Sequence, residues 1–279
     1  MKVKIILAVL SLCLSSSSFA VIQNAELSPD IQKLVASGQL RVAMFHDDIP
    51  PFIFRDKQGN LTGFDVMMVK DIALNLGIKL VIDRQASTFD GVVQRVALGY
   101  DDIALGDLAA TLPRAMSANF TQYYFQIPQV LIMSKETVKK NQGELHFGQA
   151  VISRVPVTVA ALEQSSYMAY STLAFPNGII MSYPTLKEGV NLLQSGKASI
   201  LVTDLLYARN VVSKQINPGN VVIQTIPNRY ESVGIAVNAS MPNLLNWLNV
   251  YLNNVDTRAN MQRWKQQFGL PALTPSMPN

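Results

Sequence analysis

The chain has 279 residues, of which 49% are hydrophobic, 15% charged and 8% aromatic. This length and apolar content are enough for a substantial core in one large or two smaller domains, and they exclude fibrous, low-complexity and disordered classes. The formal net charge is only +4. Without two lysines of the N-terminal segment, 21 Lys and Arg stand against 19 Asp and Glu, an excess too weak to predict a nucleic-acid partner.

The N-terminus has the pattern of an export signal. Lys2 and Lys4 precede an apolar run over residues 5–14, and the small residues Ser18 and Ala20 stand at positions −3 and −1 of a predicted cleavage site. A basic head, a short apolar centre and small residues before the cut are typical of a cleavable secretory signal, and the apolar run is short for a membrane span. We predict that residues 1–20 are a signal peptide and that the mature chain is exported and soluble.

Cysteine usage limits the chemistry of the mature chain. The one cysteine, Cys13, lies inside the predicted signal. A lipid anchor on Cys13 is the less favoured alternative. The segment resembles a lipobox, but Leu12 stands just before the cysteine, where a lipobox has Gly, Ala or Ser. After cleavage no cysteine remains, which excludes disulfides and thiolate chemistry.

From Ser28 onwards, short β-type runs alternate with helical runs. Capping residues mark the helix starts and glycines mark their ends. In chain order we predict a helix from Ser28-Pro29-Asp30, a strand over 40–45, a helix from a capping Asp65 to Leu76, a strand over 79–82, a helix over 88–98 and a strand over 103–105. This alternation predicts a largely parallel sheet with helices on its faces.

A second series follows and predicts a second lobe. It comprises a strand over 157–161, a helix from Ser166, a strand over 179–183, a helix opened by a capping box at 185–188 and ended by Gly196, a strand over 199–202 and a helix over 205–212. A long strand over 123–133 is placed to cross between the lobes, and residues 233–237 are placed to return. Residues 242–254 and 256–267 are predicted as terminal helices, the second capped by Asp256.

Several kinds of catalytic site are not indicated. The two histidines, His46 and His146, are far apart in sequence and lack ligand-like spacing, so we expect no metal site. The sequence contains no Gly-x-Ser-x-Gly elbow, Gly-x-Gly-x-x-Gly turn or phosphate loop. The adjacent pairs Asp47-Asp48 and Asp101-Asp102 would point to opposite faces of a strand, so neither forms a natural acid/base dyad. We interpret them as solvated loop charges.

Short motifs spread through the mature chain resemble those of one protein family. In order they are Leu40-Arg41-Val42, Pro50-Pro51-Phe52, Gly59, Gly63-Phe64-Asp65, Asp71-Ile72, Leu76-Gly77, Phe89-Asp90-Gly91, Thr111-Leu112-Pro113-Arg114, Leu193-Gln194-Ser195-Gly196-Lys197, Thr203-Asp204, Arg263-Trp264-Lys265 and Phe268-Gly269. The ordered set resembles the bacterial periplasmic solute-binding proteins of the polar amino acid type (family 3), over roughly residues 38–270.

The resemblance implies an α/β fold of two lobes, the type II periplasmic binding protein fold. Each lobe would be a mostly parallel sheet flanked by helices, and two crossover strands would join the lobes. We assign residues 21–128 and 230–279 to lobe 1 and residues 129–229 to lobe 2. The resemblance also implies a periplasmic monomer without cofactor that binds a small polar solute, an amino acid or related amine, and delivers it to an inner-membrane ABC permease. Binding from both lobes would stabilise a closed state.

An amino acid ligand needs a cation for its carboxylate and an anion for its ammonium group. By the resemblance, Arg114 is the cation, and its planar guanidinium matches a carboxylate. Asp204 resembles the ammonium-binding carboxylate of the family. The alternatives are a structural ion pair or helix-start contact for Arg114 and a helix N-cap for Asp204.

Three further positions resemble ligand contacts. Phe89 stands where the family often has an aromatic or apolar residue against the ligand side chain, and core packing is the alternative. Ser165 and Ser166 resemble a Gly-Thr-Thr turn whose amides face the ligand carboxylate. Gln164 replaces the glycine of that turn, and an alignment without a gap would put Glu163 and Gln164 in its place.

Departures from the family pattern bear on specificity. Ala109 stands five residues before Arg114, where Ser or Thr is common, and Asp107 stands seven before it, where a small or hydroxyl residue is usual. Asp48 belongs to the loop before Pro50, which usually meets the ligand side chain. A carboxylate at Asp107 favours a basic or amine-bearing solute. The alternative is that Asp107 pairs with Arg114 and that the ligand is not an amino acid.

Two other functions stay open. A free-standing sensor or accessory protein would bind a solute or a partner without a transporter. The fold also resembles exported cyclohexadienyl dehydratases, which need a general acid aimed at a leaving hydroxyl. The resemblance places that glutamate one helical turn after Asp204, where this chain has Tyr207. We therefore predict a binding protein and not an enzyme.

Overall fold

The computed structural model of the protein describes residues 26–140 and 157–271. The predicted signal peptide, Cys13 and His146 lie outside the described residues. Within the two described ranges, the chain forms two five-stranded sheets and one short hairpin, with helices packed against the sheets.

The part of the chain up to residue 120 alternates strands and helices. Its elements are α1 (Pro29–Ser37), β1 (Gln39–Phe45), β2 (Phe54–Arg55), β3 (Leu61–Thr62), α2 (Phe64–Leu76), β4 (Lys79–Ala86), α3 (Phe89–Ala97), β5 (Ile103–Ala104), α4 (Leu112–Ala115) and β6 (Asn119–Phe120). The helices and strands predicted between residues 28 and 105 are confirmed, with ends shifted by a few residues. The hairpin of β2 and β3 was not predicted from the sequence.

The second part of the chain repeats the alternation and ends in two helices. Its elements are β7 (Phe125–Ser134), α5 (Lys135–Lys140), β8 (Thr158–Leu162), α6 (Ser166–Ala174), β9 (Ile179–Tyr183), α7 (Leu186–Gln194), β10 (Ile200–Asp204), α8 (Leu205–Lys214), a 3₁₀ turn (Pro218–Asn220), β11 (Val221–Val233), β12 (Ala236–Val237), α9 (Pro242–Asn253) and α10 (Val255–Gln267). The prediction that residues 233–237 form the returning strand is wrong. The chain returns along β11, and residues 234–235 separate β11 from β12.

The two sheets have the same plan. The first has the order β4-β1-β5-β12-β6, in which β4, β1 and β5 are parallel and β12 is antiparallel to both β5 and β6. The second has the order β11-β7-β10-β8-β9, in which β10, β8 and β9 are parallel and β7 is antiparallel to both β10 and β11. The predicted two-lobed α/β fold is therefore confirmed.

Two long antiparallel strands, β7 and β11, connect the parts of the chain that form the two sheets. Between Phe125 and Pro128, β7 pairs with β11, and from Gln129 onwards it pairs with β10 as well. The lobe boundaries predicted at 128/129 and 229/230 lie beside this change of pairing. We keep that division into lobes as a proposal.

Two predicted helix caps are wrong, because a neighbouring residue holds the cap position. The N-cap of α2 is Gly63, and Asp65 is the second residue of the helix and is buried. A Cβ on Gly63 would collide with the carbonyl of Phe52, and its φ of 125° also favours glycine. The N-cap of α10 is Asn254, whose side chain accepts a hydrogen bond from the backbone N–H of Asp256 at 2.9 Å.

A cation is buried in the hydrophobic core beside the crossover strands. Lys265 of α10 is 1% exposed, and its Nζ lies 4.1 Å from the ring centroid of Phe125 and 5.9 Å from that of Phe64. Its Nζ has no hydrogen-bond partner within the described ranges. Burial lowers the pKa of Lys265 to about 7, because water is replaced by aromatic rings that stabilise the ammonium only in part.

Candidate functional site

The candidate residues follow strands that end at one edge of each sheet. Asp107 comes three residues after β5, and Asp204 is the last residue of β10. In open α/β sheets, ligands bind outside the carboxyl ends of the parallel strands. The two edges face each other, because the hydroxyl of Thr88 donates to Oε1 of Gln164 at 3.0 Å and the backbone N–H of Asp90 donates to the Gln164 carbonyl at 3.3 Å.

A second contact joins the two parts of the chain at the start of α7. The backbone N–H of Leu186 donates to Oδ2 of Asp47 at 3.4 Å, and Nε2 of His46 lies 3.2 Å from the other oxygen of Asp47. The side chain of Thr185 forms no capping hydrogen bond. The predicted capping box is therefore wrong, because a carboxylate from the first part of the chain meets this helix terminus instead.

Arg114 lies on α4, and groups from the same part of the chain hold its guanidinium in place. Its Nε donates to Oδ1 of Asp90 at 2.8 Å, and its Nη1 donates to the carbonyl of Ala109 at 2.9 Å. The guanidinium carbon lies 5.8 Å from the ring centroid of Phe89, which stacks on Phe45 at 4.7 Å. Phe89 and Ala109 thus contact Arg114 directly, and Phe89 also packs in the core.

Asp204 has the helix-capping role that the sequence left open. Its Oδ1 accepts hydrogen bonds from the backbone N–H groups of Leu206 and Tyr207 at 2.7 and 2.8 Å, and its Oδ2 accepts from the hydroxyl of Tyr167 at 3.2 Å. The residue is 1% exposed. Burial raises the pKa of Asp204, and these hydrogen bonds lower it in part.

Asp107 is a buried carboxylate with an unpartnered oxygen. Its φ is 56°, and its backbone N–H donates to Oδ2 of Asp65 at 2.9 Å. No hydrogen bond reaches its Oδ1 from the residues that the structure describes. Burial raises the pKa of Asp107 well above its usual range, and the charges of Asp204, Asp65 and Glu231 raise it further. Among the described residues, Asp107 forms no ion pair with Arg114, because Asp90 pairs with that guanidinium.

Glu231 is a site residue that was not predicted from the sequence. It lies on β11 and is 3% exposed. Its Oε1 accepts hydrogen bonds from the hydroxyl of Ser166 at 2.9 Å and from Nε2 of Gln129. Burial and the charge of Asp204 raise its pKa, whereas the hydrogen bonds and the charge of Arg114 lower it. The apolar run at 221–223 indicates a strand, but no local pattern shows that its far end turns a carboxylate inward.

The remaining predicted residues are divided between this cluster and another surface. Ser166 contacts Glu231, while the hydroxyl of Ser165 donates to the carbonyl of Leu162 and accepts from the backbone N–H of Met168, as an N-cap of α6. Asp48 is not brought into the cluster. Its carboxylate lies 3.0 Å from Nη1 of Arg84 and accepts from the backbone N–H of Arg55 at 3.0 Å, which is a structural role in its own loop.

A cleft of about 360 Å³ is lined by Glu231 of this cluster, whereas Asp107 and Asp204 are buried and do not belong to its lining. Its lining includes Arg114 from the first part of the chain and Ser166, Tyr170, Arg229 and Glu231 from the second. Arg229 is exposed, and its guanidinium carbon lies 4.7 Å from the ring centroid of Tyr170. Among the residues that the structure describes here, Asp65, Asp107, Asp204 and Glu231 are buried, whereas the guanidinium of Arg114 is already paired and that of Arg229 is exposed. Since an unpaired buried carboxylate is costly, a cation that enters this cluster would stabilise the ionised form of these acids.

The described part of the chain lacks two other kinds of feature. No three His, Cys, Asp or Glu side chains within residues 26–140 and 157–271 are placed to hold a metal ion. Over those same ranges, every helix is too short or too polar to cross a lipid bilayer.

Proteins similar in sequence to this chain include a dehydratase and a murein transglycosylase. The chain is 28% identical over 198 residues to a cyclohexadienyl dehydratase of Pseudomonas aeruginosa, covering 71% of this chain and 70% of that protein. It is 24% identical over 241 residues to a membrane-bound lytic murein transglycosylase F of Pseudomonas fluorescens, covering 85% of this chain and about half (47%) of that relative's length.

Solved structures point to the same fold. A mutant of arginine-bound ArgBP from T. maritima superposes with a TM-score of 0.67 at 27% identity, covering 80% of this chain and 98% of that one. The sequence matches the bacterial extracellular solute-binding proteins, family 3, over residues 40–271. This match covers most of the chain, and the protein belongs to that family.

Proposed function

We propose that the cleft binds a small cationic solute, an amino acid or related amine, between the two lobes. The observation that carries this proposal is the cluster of Asp107, Asp204 and Glu231, three buried carboxylates of which Asp107 has an unpartnered oxygen. A positively charged group inserted among them would relieve their mutual repulsion in a medium of low dielectric. The hydrogen bonds of Gln164 with Thr88 and Asp90 would then help the ligand to stabilise the closed state.

Delivery to an inner-membrane ABC permease is the role we propose for the bound protein. Its support is membership of the solute-binding family and the export signal predicted at residues 1–20, which would place a monomeric mature chain in the periplasm. A free-standing sensor would use the same site without a permease. Loss of solute uptake when a neighbouring permease gene is deleted would favour delivery, and unchanged uptake would favour the sensor.

The proposal is tested first with the purified chain lacking residues 1–20. Native mass spectrometry would detect a retained ligand, and a thermal-shift panel would contain cationic amino acids, neutral amino acids, organic acids and amines. A ligand that binds the native state raises the melting temperature by mass action. We expect shifts with cationic members only. A response restricted to organic acids, or none at all with no retained ligand, would contradict the proposal.

The Asp204→Asn variant tests the site assignment. Asparagine still caps a helix, so the fold is kept while the charge is removed. Truncating one partner of a buried charge pair costs about 2–5 kcal/mol of binding, so affinity for a cationic ligand falls by roughly 30-fold or more. The matched control is Asp256→Asn, an exposed position, which should leave affinity unchanged. Equal affinity in both variants would exclude Asp204 from the site.

A second candidate function is dehydration of a cyclohexadienyl acid. The 28% identical dehydratase supports it, together with carboxyls such as Asp107 whose raised pKa suits a general acid. Against it, Tyr207 stands at the position of the expected glutamate, and its hydroxyl donates to the carbonyl of Leu186 at 3.3 Å. Turnover of a cyclohexadienyl acid by the purified protein, lost in Asp107→Asn, would favour the enzyme over the binding protein.

A further inference from the structure

The donors expected to hold a ligand carboxylate already contact acidic groups of the protein. The family resemblance places a ligand carboxylate between Arg114 and the turn at Ser165-Ser166. In the structure, Nε of Arg114 donates to Asp90 at 2.8 Å, and the hydroxyl of Ser166 donates to Glu231 at 2.9 Å. The guanidinium predicted for the ligand carboxylate is therefore engaged by Asp90, and a carboxylate of this chain, Glu231, contacts the hydroxyl of the turn whose amides were predicted to face that carboxylate.

Glu231 is held firmly in this position. Its Oε1 accepts from Gln129 of β7 as well as from Ser166 of α6, so donors on two different elements orient it. It is 3% exposed and lines the same cleft of about 360 Å³ as Arg114. Burial raises the pKa of Glu231, and the charge of Arg114 in the same cleft lowers it in part. Glu231 thus lies where the carboxylate of an amino acid ligand would have to enter.

The charge balance leads to the same conclusion. A ligand carboxylate placed beside Glu231 would repel it, and like-charge contacts in buried sites are strongly unfavourable. Removing the carboxylate from the ligand removes that repulsion. The cationic groups of the ligand would then be attracted by Asp90 and Glu231 in the lining of the cleft. The buried carboxyls of Asp107, whose Oδ1 has no hydrogen-bond partner among the described residues, and of Asp204 would add to this attraction once the cleft opens to admit the ligand.

We propose that the solute of this site is an amine with two cationic groups and no carboxylate, such as a diamine or a guanidino-amine, and that Glu231 takes the place of the ligand carboxylate. This inference rests on the proposed function, since it narrows the class of cationic solute that the same cleft binds. Arg114 then acts as a positioning residue for Asp90 and for the cleft wall.

Matched pairs of ligands that differ only in the carboxylate test the inference on the unmodified mature chain. Isothermal titration calorimetry would compare lysine with cadaverine and arginine with agmatine. We expect the decarboxylated member of each pair to bind at least about tenfold more tightly. A tenfold difference in affinity corresponds to less free energy than a buried like-charge contact costs. Equal or tighter binding of the amino acids would overturn the inference and leave the proposed function standing. Failure of all four to bind would overturn both.

The Glu231→Gln variant tests the residue itself. Glutamine can still accept from Ser166 but carries no charge, so the preference for the amine over the amino acid should narrow by about tenfold or more. The matched control is Glu188→Gln on α7, which is exposed and should keep the full preference. Circular dichroism checks that both variants are folded. An unchanged preference in a folded Glu231→Gln would remove Glu231 from the proposal, and if the variant does not fold, the ligand pairs decide.

Discussion

Replacing Asp107 by asparagine should stabilise the protein and weaken its binding at the same time. The carboxylate is 6% exposed, has an oxygen without a hydrogen-bond partner among the described residues and lies in the field of three other acids. Asparagine has nearly the same shape and tolerates the φ of 56° found there. The substitution therefore removes the charge without disturbing the backbone.

The size of the stabilisation has an upper bound. About three pH units separate the ordinary pKa of an aspartate from pH 7, and each unit corresponds to about 1.4 kcal/mol, so the cost of Asp107 cannot exceed about 4 kcal/mol at pH 7. The buried amide that replaces it needs hydrogen bonds of its own, which reduces the expected gain to about 1–3 kcal/mol. In the same variant, the affinity for a cationic solute should fall by about tenfold or more relative to wild type.

Urea denaturation of wild type and Asp107→Asn at several pH values checks this prediction. Because the pKa of Asp107 is raised in the folded state, its contribution favours folding below the ordinary pKa and is lost as the pH rises towards the folded-state value. The advantage of the variant should thus grow from pH 4.5 to pH 7.5. Asp256→Asn, at an exposed position, should change the free energy of unfolding by no more than about 0.5 kcal/mol. A variant that is less stable than wild type at pH 7, or a gain that does not depend on pH, would refute the reasoning.

Three further predictions concern the fold and its closure. Gly63→Ala should destabilise the protein by about 3 kcal/mol or more, since the new Cβ would strike the carbonyl of Phe52. Gly59→Ala, also at positive φ but in open space, should cost about 1 kcal/mol. Equal losses of stability in thermal denaturation would contradict this prediction. Lys265→Met should raise stability more at pH 6 than at pH 9, because the lowered pKa of about 7 makes wild type lose stability as the lysine is protonated; urea titrations at both pH values check the sign. Gln164→Ala should lower ligand affinity by about 3- to 10-fold through loss of one hydrogen bond between the lobes, and an unchanged dissociation constant by calorimetry would show that this contact does not stabilise closure.

Signals that lie within a few residues of one another were sufficient to predict most elements of the fold. Pro at the first helical position located the start of α1, and apolar periodicity with local capping signals located α3 and α8 to within about two residues, because backbone hydrogen bonding in a helix is local. The same reasoning failed where the cap depended on a distant group. The N–H of Leu186 meets Asp47, and Gly63 is required by the carbonyl of Phe52. Neither contact leaves a trace in the neighbouring sequence.

The candidate site divides in the same way. Asp107, Asp204 and Arg114 could be named from the sequence alone. Asp204 and Arg114 resemble family motifs, and Asp107 stands out as a carboxylate where the family has a small or hydroxyl residue. Only the tertiary structure paired Arg114 with Asp90, excluded Asp48 from the cluster and brought Glu231 to Ser166. The physical reason is that these contacts join residues far apart in the chain, whose approach depends on strand order and sheet packing. The sequence by itself therefore determined the helices and strands and which residues follow each strand. The tertiary structure decided which charged groups surround the solute.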